Sequence, residues 1–180
     1  HVFLTRRPPG FLHKPTAGKV LHFATEPQIR CFMDANPHLV TYVTDYAPHM
    51  VKEAPRPGFI ADIQHLPLSD NCMDGIFCLH VLEHVAGDRR AIHELWRVLK
   101  EDGQAVIMVP FFPGQQETIE YGAPDPHMYN HVRAYSPADF KHRLDPFHYE
   151  ELSPCNFLSR EEINRLQIPC DSQIIYLCRK

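Results

Sequence analysis

No apolar run in this chain approaches the roughly 18 residues that a membrane-spanning helix needs, and no stretch reads as a secretory leader. Clustered Lys and Arg are equally scarce. The densest basic spot is Arg6-Arg7, and a net charge of -4 with a pI near 6.3 argues against a nucleic-acid surface. Six cysteines are present (Cys31, Cys72, Cys78, Cys155, Cys170 and Cys178), but no CxxC and no regular spacing that would announce a zinc site or a disulfide framework. They are expected to be free thiols, with Cys78 and Cys178 acting as small hydrophobes inside apolar strands, which suits a reducing, cytoplasmic compartment. GxGxxG is missing too, which excludes a nicotinamide-dinucleotide fingerprint. The chain begins at His1 rather than Met, so it is expected to be a piece of a longer sequence whose targeting segments lie upstream.

What is present suits one globular domain. The 180 residues are 44% hydrophobic and 22% charged, ordinary values for a chain that buries a core without staples. Residues 1–18 read as an irregular arm punctuated by Pro8-Pro9-Gly10 and Pro15, and residues 19–180 as a single domain. Short apolar runs at Lys19–Ala24, Leu39–Asp45, Gly58–Asp62, Met73–His80 and Gly103–Pro110 read as buried strands. Between them, Pro27 opens a helix to about Asn36, and Asp88–Leu99 sets Ile92, Leu95, Trp96 and Leu99 on one helical face. Alternation of this kind forces parallel strands joined by crossover helices. Ser136-Pro137 starts a further helix to about Leu144. A strand at 149–152, a helix at 159–166 and a strand at 173–178 close the chain. Residues 111–133 are expected to be a long irregular stretch rich in Pro and Gly.

An open parallel sheet binds its ligand at the carboxyl ends of the strands, where strand order reverses. The residues at those ends form a coherent set: Phe23, Ala24 and Glu26 after the first strand, Asp45 and Tyr46 after the second, Asp62 and Ile63 after the third, His80 to His84 after the fourth. A carboxylate at the end of the second strand can accept two hydrogen bonds from the vicinal hydroxyls of a ribose, and Asp62 can accept from an exocyclic amine such as that of adenine. Either Asp alone is equally a common turn residue.

Residues 61–110, ADIQHLPLSDNCMDGIFCLHVLEHVAGDRRAIHELWRVLKEDGQAVIMVP, resemble the middle of a class I S-adenosylmethionine (SAM)-dependent methyltransferase. The order DIQHLPLSD, MDGIFCLHVLEHV, ELWRVLKEDGQAVI carries the likeness, which extends to KVLHFATE in front and HVRAYSPADF behind. The resemblance implies an α/β, Rossmann-like, seven-stranded and mostly parallel sheet with helices on both faces and its last strand antiparallel. It also implies SAM as cofactor, with Asp45 on the ribose, Asp62 and Ile63 on the adenine, and His80 bordering the methionine part. One departure stands out: where the family has a glycine-rich first turn, this chain has FATEP, similar to a subset with an LHFAPE-like turn. Ala24 and Thr25 are small, and the helix at Pro27 still offers free N–H groups and a positive dipole end to the ligand's carboxylate. Glu26 is expected either to cap that helix or to meet the ligand's ammonium.

A sulfonium methyl is already activated, so an enzyme must align a nucleophile with the C–S bond and take a proton where required. His80, His84, His127 and His131 are the candidate bases, among 13 histidines in all. Residues 111–135 are expected to form a lid or substrate loop, with Tyr121 and Arg133 facing substrate. Arg133 is read equally as a partner for Asp125 or Asp139. The leading expectation is methyl transfer to a small-molecule acceptor, with neither nucleic acid nor membrane as partner. Two alternatives stay open: a degenerate, non-catalytic binding protein on the same fold, or a metal-dependent enzyme built on His127, His131 and Asp125, His80 or His84. No motif fixes a metal-ligand set.

Overall fold

The computed structural model describes residues 18–24, 26–45, 57–170 and 172–180, and all but the side chain of Gln28 within them. The expected arm, up to residue 17, and Tyr46 lie outside the described residues. Among the described residues no helix is long and apolar enough to cross a membrane.

Five strands run parallel: β1 (Gly18–Phe23), β2 (Leu39–Asp45), β3 (Gly58–Ile60), β4 (Met73–Leu79) and β5 (Leu99–Met108). The seven-stranded sheet is completed by β8 (His148–Leu152) and β9 (Ile175–Arg179), in the order β3-β2-β1-β4-β5-β9-β8. β9 pairs antiparallel with both β5 and β8, so the last strand alone runs against the others. The chain moves outward from β1 to β3 and then returns to lay β4 beside β1. That return places the topological switch point between β1 and β4, where such sheets bind ligands.

Helices cover both faces. In α1 (Pro27–Asp34), Ile29 and Met33 lie four residues apart, one turn of helix, and pack against Val20, Phe77, Val106 and Leu177. On the other face, Ala91, Ile92, Leu95 and Val98 of α2 (Asp88–Val98) and Phe140 of α3 (Pro137–Arg143) pack against Leu21, Ile76, Cys78, Ala105 and Tyr176. The Ser136 hydroxyl accepts from Asp139 N at the start of α3, as its sequence promised. The final helix, α4 (Arg160–Leu166), begins in a capping box between Ser159 and Glu162.

Three expectations are corrected. β5 starts at Leu99, directly on the end of α2, because Leu99 already pairs with Met73; the chain then bulges and resumes pairing at Gln104 opposite Gly75. Gly103 permits the bulge, since a Cβ there would meet Leu99 Cδ1 at 2.8 Å and the Lys100 carbonyl at 3.0 Å. Second, the stretch at 111–133 is not wholly irregular. It contains an antiparallel hairpin of β6 (Ile119–Asp125) and β7 (His131–Ala134) joined by a 3-10 turn at Pro126–Met128. Third, the cysteines are not all free thiols. Cys155 and Cys170 form a disulfide, while Cys78 and Cys178 are the buried thiols expected.

Candidate functional site

A cavity of about 480 Å³ opens at the carboxyl ends of the strands beside the switch point. Its wall takes Phe23 and Ala24 from the end of β1, Thr44 and Asp45 from β2, and Ala61 to Gln64 from the segment after β3. After β4 it takes His80, Val81, His84, Val85 and Ala86. The volume falls in the range of small-molecule and cofactor pockets.

The backbone is bent sharply at both strand ends that flank the switch. Ala24 has φ 44° and His80 φ 52°, left-handed values that cost an L-residue of this kind about 1–2 kcal/mol. Ala24 takes up the conformation that a glycine-rich turn would supply, with only a methyl group in the way. Such conformations persist where the surroundings over-determine them, and they cluster at ligand sites.

Asp62 is held in an Asx-type turn: Oδ1 accepts from Gln64 N at 2.9 Å and from Gln64 Nε2 at 3.2 Å. The backbone N–H of Gln64, above all, holds the Asp62 carboxyl below its ordinary range, so it remains an acceptor near neutral pH. Gly87 leaves the room that the Gln64 side chain occupies, since a Cβ there would stand 2.3 Å from its Oε1. Thr44 contributes a buried hydroxyl with no hydrogen-bond partner among the described residues.

The remaining site candidates separate clearly. Glu26 neither caps α1 nor lines the cavity, because its Oε2 meets His22 Nε2 at 2.8 Å. His80 is half-exposed, and Glu83, 3.5 Å away, raises its proton affinity above the ordinary value although burial works against it. His84 packs edge-on against His131 with ring centroids 4.7 Å apart, and its Nδ1 lies 3.2 Å from the Asn130 carbonyl. His131 is buried, and burial makes it harder to protonate. His127 stands exposed in the hairpin turn, where its backbone N–H donates to Asp125 Oδ1. Asp125, Tyr121 and the rest of residues 111–135 contribute nothing to the cavity wall.

Arg133 is not presented to a ligand, and it pairs with neither Asp125 nor Asp139. Its buried guanidinium donates to Glu120 and to the carbonyls of Leu82, Val85 and Ala86, and it lies 3.7 Å from Asp88. Tyr135 Oη and Arg143 Nη1 both donate to the same Asp88 Oδ2. This ionic knot fastens β7 to the 82–86 segment and so fixes one wall of the cavity. No local pattern in the sequence announces this knot or Gln64, and Glu83 stood among the strand-end residues without a role. For Glu83 there was a signal: a lone acid among apolar neighbours in VLEHV.

Residues 25–107 match the family model of a methyltransferase domain. Over that stretch, a little under half of the chain, it is similar to methyltransferase domains. An uncharacterized protein of Methanocaldococcus jannaschii is 43% identical over 49 residues, which are 27% of this chain and 21% of that one. The chain therefore spans about a fifth of the length of this curated relative. Among solved structures, the Haloferax volcanii complex between the Trm112 methyltransferase activator and a methyltransferase aligns with a TM-score of 0.68 at 16% identity, over 93% of this chain and 86% of that one. A SAM-dependent methyltransferase from Mesorhizobium loti aligns with a TM-score of 0.65 at 13% identity, over 99% of this chain and all of that one. At these identities the structures speak for the fold of the methyltransferase domain.

The residues present fit SAM: the cavity has the volume, Asp45 and Asp62 put hydrogen-bond acceptors on its wall, and Ala24 adds only a methyl group at the strand end.

Proposed function

We propose that this chain is a methyltransferase that transfers the methyl group of SAM to a small-molecule acceptor. The observation that carries the proposal is the cavity at the switch point, with Asp45 and Asp62 on adjoining strand ends of its wall. SAM, when bound, supplies an activated sulfonium methyl. Asp45 accepts from the ribose hydroxyls, Asp62 from the adenine amine, and Ile63, buried at the wall, packs against the base. The first turn of α1 carries N–H groups that the Glu26 side chain leaves uncapped, which suit the ligand's carboxylate. His80 and His84 also line the cavity, from the segment after β4.

Calorimetric titration with SAM tests this reading. Asp45→Ala is expected to weaken binding by about 1.5–3 kcal/mol, the scale of a hydrogen bond to a charged group. Wild-type protein that gives no heat and no thermal shift with SAM would favour the non-catalytic binding protein instead. Unchanged affinity in Asp45→Ala would remove that residue from the site.

A further inference from the structure

Glu83 is a misfit by ordinary rules of burial. Its side chain is only 1% exposed, yet Oε2 has no hydrogen-bond partner among the described residues, and Oε1 finds only the His80 ring at 3.5 Å. A buried carboxylate oxygen left without a donor is costly, and native proteins keep such groups for a ligand or a counter-charge. His131 repeats the anomaly beside it: the ring is buried and Nδ1 has no hydrogen-bond partner among the described residues. His84 completes the group. One ligand atom from each of Glu83, His84 and His131 lies within 4.8 Å of the other two.

The surroundings prepare these rings to coordinate. His84 Nδ1 sits against the Asn130 carbonyl, which can only accept; the proton therefore resides on Nδ1 and Nε2 keeps its lone pair. That carbonyl is delivered by two consecutive left-handed residues, Tyr129 at φ 56° and Asn130 at φ 61°, and the same turn feeds His131 into β7. Strain of this kind, in residues other than glycine, is characteristic of a positioned site. Arg133, two residues on, then locks β7 onto the segment that carries Glu83 and His84.

We propose that Glu83, His84 and His131 form a binding site for one divalent transition-metal ion of the zinc and cobalt class. Two imidazoles with one carboxylate suit these borderline ions rather than Mg²⁺ or Ca²⁺, which prefer all-oxygen shells. Ligand atoms bound at about 2.1 Å around a tetrahedral ion stand about 3.4 Å apart, so the observed spread closes with side-chain shifts of somewhat under one ångström each. His84 also lines the cavity, which puts the ion at its wall. The turn residue His127 takes no part in the cluster.

Titration of EDTA-treated protein with Co²⁺ near neutral pH, read by visible absorption and by calorimetry, tests the site. Wild type is expected to take up one equivalent. Glu83→Gln, His84→Ala and His131→Ala should each weaken uptake at least about tenfold, while His127→Ala titrates like wild type. Wild-type protein with no saturable uptake would overturn the proposal, as would undiminished uptake in both His84→Ala and His131→Ala. If circular dichroism finds the buried-site variants unfolded, the exposed His84→Ala decides alone. Binding of Co²⁺ and binding of SAM are separate titrations, so failure of one leaves the other reading intact.

Discussion

Replacing Arg133 by Met should cost this protein about 3–5 kcal/mol of stability, far more than a surface charge. The figure follows from what the guanidinium leaves behind. Met keeps much of the aliphatic stem but none of the donors. The carbonyls of Leu82, Val85 and Ala86 lose the Arg133 bonds that hold them, because the single Tyr135 hydroxyl proton, 3.2 Å from the Leu82 carbonyl, goes to the closer Asp88. A buried acceptor stranded in this way costs about 1–3 kcal/mol. Asp88, 5% exposed, keeps Arg143 and Tyr135 but loses part of its counter-charge. Glu120 is half-exposed and returns to water at little cost. Together these losses reach the stated range without being strictly additive. Urea unfolding of wild type, Arg133→Met and Arg133→Lys would measure them, with Lys recovering less than about half because a point charge cannot serve the fork. A loss below about 1 kcal/mol in Arg133→Met would refute the view that this knot holds the cavity wall.

Other outcomes follow from other parts of the fold. Glu94 accepts from Arg97 and from Leu66 N, and Arg97 above all holds its carboxyl below the ordinary 4.5. A depressed carboxylate contributes stability that is complete above its unfolded value and lost as pH falls through its folded value. The stability gap between wild type and Glu94→Gln should therefore shrink below about pH 4.5, and a gap constant down to pH 3 would refute this. Reducing the Cys155–Cys170 bond, whose cysteines stand 15 residues apart, should lower stability by about 3 kcal/mol; identical urea midpoints with and without reductant would count against it.

Much of the architecture was legible in the residues because it rests on local patterning. Runs such as LVTYVTD can only be buried strands, and Ser136-Pro137 can hardly avoid starting a helix. Alternation of strand and helix then leaves few topologies open. Strand ends were legible for the same reason, so Asp45, Asp62 and His80 were found on the cavity wall where the chain pattern placed them. The hairpin at 119–134 was not. β6 is largely exposed and holds Gly122 and Pro124, and its pairing is decided by β7, which is buried against the 82–84 turn. The disulfide was equally invisible, since spacing alone does not say which cysteines meet.

Local sequence thus determined which segments are strand or helix, which faces are apolar and which residues end up at the strand tips. Those properties depend on neighbours three or four positions away. Only the tertiary structure decided that Arg133 spends its donors on the 82–86 carbonyls, and that Glu83 and His84 meet His131. Contacts across about fifty residues of chain depend on how two elements pack, and no period in the sequence encodes that choice.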